Sequence, residues 1–219
     1  MRTNTESTLC FECGMPAAGQ LICPGCGIVQ RVTQEEPDFF SLFGLPRKLS
    51  IDLAELERRY YALSRQVHPD LFQGRSQAEQ SASVRSTALV NRAYRALKDP
   101  VRRGLYWLTL NGEALGRDNK RVPAELSALV FEVQEKLEEL RQGRDPSLVR
   151  EAGEIHRMLL ARIASAEERL RASFARNDRA DGNGTSALAE TKAILSELHY
   201  LRTLVRDVEK ELETEWNGS

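Results

Sequence analysis

Apolar residues recur every three or four positions along most of this chain, which is the spacing of one buried helix face. The first such stripe, in residues 52–67, consists of Leu56, Tyr60, Leu63 and Val67. Asp52 and Glu55 form a capping-box pattern at its start, and Pro69 disfavours helix in the residue before it. We therefore predict a helix that begins after Asp52 and ends before Pro69.

A second helix is predicted from about Gln77 to Leu97, because apolar and aromatic residues again follow helical spacing. Its predicted buried stripe consists of Val84, Ala88, Asn91, Tyr94 and Leu97. Asp99 and Pro100 then indicate the start of a short third helix, since proline suits the first helical turn. We expect the two longer helices to pair as an antiparallel hairpin.

Three more amphipathic helices are predicted between residues 123 and 215. Their apolar stripes are Leu126, Leu129, Val133, Leu137 and Leu140; then Val149, Ile155, Leu159, Ile163 and Leu170; then Leu188, Ile194, Leu198, Leu201, Val205 and Leu212. Gly143 closes the first helix, Asp145 and Pro146 begin the second, and the loop 181–184 precedes the third. Short loops between such helices predict an antiparallel three-helix bundle.

Composition supports a folded helical protein. The 219 residues are 41% apolar and 29% charged. A net charge of −1 does not favour general nucleic-acid binding, and no apolar run approaches the roughly 18 residues of a membrane span. We predict an all-α fold with a small module at 1–31, a polar linker at 32–37, a helical hairpin domain at 38–112 and a three-helix bundle at 123–215.

The N-terminal module holds every cysteine of the chain. They are Cys10, Cys13, Cys23 and Cys26, two CxxC pairs separated by nine residues. A CxxC turn can direct two thiolates at one metal ion, and two such turns complete a tetrahedral shell. Gly14 and Gly27 directly follow the pairs, where a tight turn needs backbone freedom. We predict a structural zinc ion in a zinc-ribbon-like module.

Other uses of this module are less well supported by its sequence. Paired disulfides would need an oxidising compartment, and the chain begins without a secretory signal. A redox CxxC would not explain a second, matched pair. Residues 1–31 contain two Arg and no Lys, so the charge that drives nucleic-acid binding by zinc ribbons is missing. A stabilising or docking role is the remaining expectation.

The loop between the two hairpin helices carries a distinctive tripeptide: His68, Pro69 and Asp70. Three arginines of the preceding helix lie away from its apolar stripe: Arg58, Arg59 and Arg65. With this placement the sequence resembles the J-domain of DnaJ-type co-chaperones. The simpler alternative is a turn-capping histidine beside a solvated basic face, but loop position, helix lengths and charge together disfavour it.

Further segments resemble the HscB family, the J-proteins dedicated to iron–sulfur cluster assembly. They are 39–46 (FFSLFGLP), 67–72 (VHPDLF), 77–80 (QAEQ), 90–94 (VNRAY), 97–100 (LKDP), 103–106 (RGLY) and 108–112 (LTLNG). Some members of that family carry an N-terminal double CxxC like this one. The repeated CxxCxGxG units of general DnaJ proteins are absent from the sequence.

The resemblance implies two partners. The His-Pro-Asp loop and the basic helix face would engage a DnaK-type chaperone and stimulate its ATP hydrolysis. The C-terminal bundle would bind the scaffold protein on which clusters are built, through the matching positions Phe131, Glu132, Glu135, Glu139 and Tyr200. Ser127 and Ala128 stand where family members often have large apolar residues, which predicts a smaller patch. A core Phe131 beside solvated glutamates is the open alternative.

The expected function is therefore that of an adaptor and not of an enzyme, with no nucleic-acid or membrane partner. No Ser/His/Asp arrangement, paired carboxylates or Gly-rich phosphate loop stands out in the sequence. The alternatives are a general J-protein that delivers unfolded clients, a zinc-ribbon nucleic-acid-binding protein and a CxxC oxidoreductase. The short N-terminus predicts a bacterial cytoplasmic location, with the mitochondrial matrix as the alternative.

Overall fold

A computed structural model describes residues 9–10, 12–16, 20–30, 37–115, 124–143, 145–179 and 185–213. Its α-helices are α1 (Phe39–Leu42), α2 (Leu53–Val67), α3 (Gln77–Lys98), α4 (Pro100–Leu110), α5 (Ala124–Gln142), α6 (Pro146–Arg179) and α7 (Thr185–Glu213). Within these ranges the only β-structure is two isolated bridges near the cysteines. The predicted all-α fold is confirmed, while the predicted loop 181–184 lies outside the described residues.

Helix α2 begins where the sequence predicted, because Asp52 caps it. The Asp52 carboxylate accepts hydrogen bonds from two first-turn backbone N–H groups, at 2.9 and 3.2 Å. The reciprocal bond of a capping box, from the Asp52 backbone N–H to the Glu55 carboxylate, is not formed. The Glu55 carboxylate instead pairs with Arg58 and Arg59 one turn further along the helix.

Helix α3 begins with the complete capping box that α2 lacks, formed between Ser76 and Glu79. The predicted stripe of α3 is wrong at its N-terminal end, where Val84 is 57% exposed and Ala88 is also exposed. The helix instead buries Ala82, Ser83, Ser86, Leu89, Val90, Ala93 and Leu97. Small residues form the buried face of its first half, so hydropathy alone does not mark it.

The chain forms two compact units, Met1–Arg102 and Arg103–Ser219. In the first, α2 and α3 pack as the predicted hairpin with α1 against α3. The large buried side chains of this unit include Phe40, Phe43, Leu49, Leu56, Val67, Leu89 and Leu97. The cysteine-containing segment lies in the same unit as the hairpin.

The second unit contains the predicted bundle of α5, α6 and α7. Polar pairs between α6 and α7 occur in opposite order along the two helices, which shows that these helices are antiparallel. The pairs are His156–Glu209, Glu167–Arg202, Arg169–Glu197 and Arg176–Glu190. Leu129, Val133 and Leu137 of α5 share a buried cluster with Leu159 of α6 and Leu201 of α7.

The second unit also includes most of α4, which the sequence had placed with the hairpin. Arg103 is buried, and its guanidinium carbon lies 5.3 Å from the centre of the Phe174 ring. Gly104 packs so closely that an added Cβ would come within 3.1 Å of the Leu195 side chain. Lys192 forms an ion pair of 2.6 Å with Glu113. The compact units thus divide within α4.

None of the helices in the described ranges is both long enough and apolar enough to cross a membrane.

Candidate functional site

The two CxxC turns have the same backbone structure. Gly14 and Gly27 both have a φ of 70°, a region that glycine adopts without strain. Gly14 donates to the Cys10 carbonyl at 2.9 Å, and Gly27 donates to the Cys23 carbonyl at 3.0 Å. Each turn therefore folds its two thiols to the same side, as the sequence predicted.

The four sulfur atoms converge on one point. All of them lie within 4.8 Å of one another. The sulfurs of Cys10 and Cys26 are 3.6 Å apart, and those of Cys13 and Cys23 are 3.5 Å apart. These distances far exceed the roughly 2.05 Å of a disulfide. They are close to the ~3.8 Å edge of a tetrahedron with metal–sulfur bonds of ~2.3 Å, so the residues fit a four-thiolate metal site.

Hydrogen-bond donors surround the buried half of this cluster. Cys10 and Cys23 are 3% and 1% exposed. The Cys10 sulfur accepts from the backbone N–H of Glu12 at 3.5 Å and from the side-chain amide of Gln30 at 3.3 Å. The Cys23 sulfur accepts from the backbone N–H of Gly25 at 3.4 Å. Such donors stabilise sulfur in its thiolate form and orient it toward a metal.

The four thiols differ in acidity because their hydrogen bonds and neighbours differ. A hydrogen bond from the Cys13 backbone lowers the pKa of Cys10 to about 6. The Cys26 backbone similarly lowers the pKa of Cys23. At Cys26, the Ile28 backbone favours the thiolate, but desolvation and the neighbouring sulfurs outweigh it and raise the pKa to about 12. A bound cation would allow all four thiols to ionise together.

The structure places the predicted tripeptide in the loop between α2 and α3. His68 ends α2 in an extended conformation, as expected before proline, and Pro69 begins the 3₁₀ helix Pro69–Phe72. The Asp70 backbone N–H donates to His68 Nδ1 at 3.3 Å. The side chains of His68 and Asp70 are 53% and 72% exposed, so both are accessible to a partner.

The two ends of this loop are held by α3. The Val67 carbonyl, at the end of α2, accepts a hydrogen bond from the Ser83 hydroxyl at 2.6 Å and another from the Thr87 hydroxyl at 3.1 Å. At the other end, Phe72 is buried in a cluster with Ala82. The loop thus has fixed ends, while the side chains of His68 and Asp70 are exposed.

One face of α2 continues the exposed surface of the loop. The Arg58 side chain is 77% exposed, and Arg65 is exposed about two turns further along the helix. Tyr61, which spacing alone did not mark, is 53% exposed. It precedes His68 by seven residues, or about two turns, and so lies on the side of α2 nearest the loop. An exposed aromatic flanked by arginines is a common feature of protein-binding surfaces.

Arg59 differs from its neighbours, because its guanidinium is bound within the domain. It donates to the Phe43 carbonyl at 2.8 Å and to the Gly44 carbonyl, while its Nε pairs with Glu55. The side chain thereby ties the turn after α1 to α2. The sequence grouped Arg59 with the chaperone-binding arginines, and the structure gives it a structural contact that spacing could not reveal.

A second exposed surface lies on α5. Phe131 is 71% exposed, since it sits about 200° around the helix from the buried Leu129 and Val133. Glu132, Glu135 and Glu139 are also exposed. We call Phe131, Glu132, Glu135 and Glu139 the α5 surface. Glu132 and Glu135 form no ion pair with any residue in the described ranges, whereas Glu139 pairs with Lys136 at 2.9 Å.

Tyr200 differs from the α5 surface in its burial. Its side chain is partly buried and packs against the α5–α6–α7 core, and its ring makes an edge contact with His199 at 5.8 Å. Upstream of Phe131, Ser127 and Ala128 are exposed and add no large apolar side chain to this surface. Phe131 is thus the large apolar side chain that α5 exposes among its described residues.

Comparison with known proteins identifies the class. Residues 38–106 match the DnaJ domain, which makes this a J-domain protein. The human iron–sulfur cluster co-chaperone protein HscB is 30% identical over 200 residues, covering 89% of this chain and 78% of that protein. This chain belongs to the HscB family of iron–sulfur cluster co-chaperones.

Solved structures agree with this assignment. The crystal structure of human co-chaperone protein HscB matches with a TM-score of 0.66 at 28% identity, covering 93% of this chain and 98% of that one. The chaperone HscB from Vibrio cholerae matches with a TM-score of 0.61 at 25% identity, covering 81% of this chain and 99% of that one. The predicted resemblance is confirmed.

Proposed function

We propose that this protein binds a DnaK-type chaperone through its J-domain and stimulates ATP hydrolysis by that chaperone. The observation that carries the proposal is the loop itself. His68 and Asp70 are exposed, while the hydroxyls of Ser83 and Thr87 hold the backbone that precedes them. A fixed backbone lowers the entropic cost of binding, because little of the loop has to be ordered by the partner.

The adjoining face of α2 would supply the rest of this binding surface. Arg58 and Arg65 offer positive charge to an acidic partner, and Tyr61 offers apolar area between them. Exposed arginines mainly raise the association rate and select the partner. We expect the exposed aromatic to contribute more to the lifetime of the complex.

The second partner in this proposal is the scaffold protein on which iron–sulfur clusters are assembled. The α5 surface supports it, because an aromatic residue that is 71% exposed can anchor a protein interface, and the exposed carboxylates beside it offer negative charge to a basic partner. These positions were predicted from the sequence resemblance to the HscB family, so their exposure in the structure is independent support for the proposal. Tyr200, being partly buried, would position α7 at the edge of this surface.

In this account the protein is an adaptor, and the chemistry belongs to its partners. The bundle presents the scaffold, and the J-domain couples that delivery to ATP hydrolysis by the chaperone. The four cysteines would hold a zinc ion whose role is structural, since four protein ligands leave no open coordination position. Residues 9–30 contain no Lys or Arg, which gives no support to nucleic-acid binding by this module.

A binding experiment with the full chain separates the two surfaces. Phe131→Ala should weaken binding of the scaffold and leave binding of the chaperone unchanged. His68→Gln should do the reverse. Arg157→Gln, a substitution on α6 where the side chain is 75% exposed, should affect neither. Loss of both partners in either variant would contradict the assignment of separate surfaces.

A further inference from the structure

The cysteine module contacts the loop that carries the His-Pro-Asp tripeptide. Val29, which follows the second CxxC pair, is fully buried in a cluster with Phe72 and Ala82. Ile22, paired with Val29 through an isolated β-bridge, packs against the same cluster. Phe72 is the last residue of the 3₁₀ helix that contains Asp70.

We propose that the cysteine module is a positioning element for the His-Pro-Asp loop: a loaded metal site holds Val29 and Ile22 against Phe72, and this contact fixes the 3₁₀ helix. The functional consequence rests on the proposed stimulation of a chaperone. The structural consequence, a more stable loop, does not depend on any partner.

The loop needs such support because its own structure is short. The 3₁₀ helix is a single turn, closed by a bond of 3.0 Å from the Leu71 N–H to the His68 carbonyl. One turn of helix is not stable alone. Leu71 is 61% exposed, so Phe72 is the large apolar side chain by which this turn is anchored. The Val67 end has two hydroxyl donors from α3. Beyond the other end, the Gln80 side-chain amide donates to the Arg75 carbonyl at 2.9 Å, but Phe72 itself is held by apolar contact.

The metal matters because the ribbon that presents Val29 is built around Cys23. The Cys23 N–H donates to the Ile28 carbonyl at 2.9 Å, and the Gln30 N–H donates to the Leu21 carbonyl at 2.7 Å. Few apolar residues support this ribbon, so metal coordination would supply much of its folding free energy. Loss of the metal should therefore release Val29 from Phe72.

Hydrogen exchange measured by NMR tests the structural part. The Leu71 amide reports on the 3₁₀ turn, and the Arg75 amide, which donates to the Phe72 carbonyl at 3.0 Å, reports on its end. Val29→Ala removes two buried carbons from the contact, so we expect both amides to exchange about tenfold faster. Ile28→Ala is the matched control, because Ile28 is adjacent but lies outside the cluster. The Leu56 amide, bonded to the Asp52 carbonyl at the start of α2, should exchange unchanged in both variants.

Chelation of the wild-type protein supplies an independent test. Removal of the metal, followed through zinc content, should accelerate the same Leu71 and Arg75 amides, and adding zinc back should restore them. If Val29→Ala itself loses the metal, the chelation experiment alone decides whether the module holds the loop. Unchanged exchange at Leu71 and Arg75 in the metal-free protein would overturn the proposal.

Stimulation of the chaperone ATPase tests the functional part. In Val29→Ala we expect a higher co-chaperone concentration for half-maximal ATPase stimulation, and in Ile28→Ala we expect the wild-type value. If wild-type protein gives no stimulation, the proposed function fails, while the exchange result still decides whether the module holds the loop. If exchange is faster but half-maximal stimulation is unchanged, the positioning role in chaperone binding is refuted.

Discussion

Replacing Phe131 by alanine distinguishes a binding surface from a core position, because the two assignments predict opposite results. Full burial of a phenylalanine side chain contributes roughly 1.5–3 kcal/mol. Phe131 is 71% exposed, so its truncation removes less than about a third of that burial free energy. The expected loss of stability is below about 1 kcal/mol, or less than roughly 5 °C in melting temperature.

The buried Phe174 provides the comparison within the same unit. It is 1% exposed, and truncation of such a residue costs about 3–5 kcal/mol. Phe174→Ala should therefore lower the melting temperature by about 10 °C or more. The contrast between the two variants tests the exposure of Phe131 without any partner.

Although Phe131→Ala should change stability little, it should weaken scaffold binding strongly. If Phe131 is a central contact, its truncation should cost about 2 kcal/mol or more, which is roughly a thirtyfold increase in Kd. Leu160→Ala on α6, where the side chain is 44% exposed, is the matched control and should leave Kd unchanged. Titration calorimetry with thermal denaturation on the same samples gives both quantities. A large fall in melting temperature for Phe131→Ala, or an unchanged Kd, would refute the reasoning.

Three further predictions follow from the contacts of individual residues. Cys23→Ser should release the metal, seen by metal analysis, and should make the cysteine module protease-sensitive while the helices keep their circular dichroism. Arg59→Ala should cost about 1–2 kcal/mol in thermal stability because two backbone carbonyls lose a charged donor, whereas Arg58→Ala should stay within about 0.5 kcal/mol. Hydrogen bonds from the Ser76 hydroxyl and backbone lower the pKa of Glu79, so its contribution to stability is present above its usual pKa of 4.5 and is lost as the pH falls below that value. Unfolding measured between pH 6 and 3 should therefore be less pH-dependent in Glu79→Gln than in the wild type, and identical curves would contradict this.

Long apolar stripes were the part of the fold that periodicity predicted best. Leu129, Val133 and Leu137 are all buried as predicted, since a large aliphatic residue every three or four positions leaves one possible core face. The predicted buried stripe of α3 was wrong at Val84, because this helix packs through serine and alanine residues. Hydropathy does not separate these residues from surface residues. Small residues there allow Ser83 to reach the Val67 carbonyl.

In the candidate sites, too, sequence spacing predicted some features and missed others. Local spacing was sufficient to predict the two CxxC turns, because each turn is set by residues within it. The presence of two matched pairs then predicted that the four cysteines share one site. Spacing could not show that Arg59 binds the Phe43 carbonyl or that Val29 packs against Phe72. Both are tertiary contacts between segments far apart in sequence, and neither leaves a periodic signal.

The most direct test of the proposed function is steady-state ATP hydrolysis by the DnaK-type chaperone in the presence of wild-type or His68→Gln protein. His68 is 53% exposed, so the variant should retain its stability to within about 0.5 kcal/mol. It should also still bind the scaffold. We expect wild-type protein to accelerate ATP hydrolysis and His68→Gln to leave it at the basal rate, with Arg157→Gln matching the wild type. Equal stimulation by wild type and His68→Gln would contradict the account.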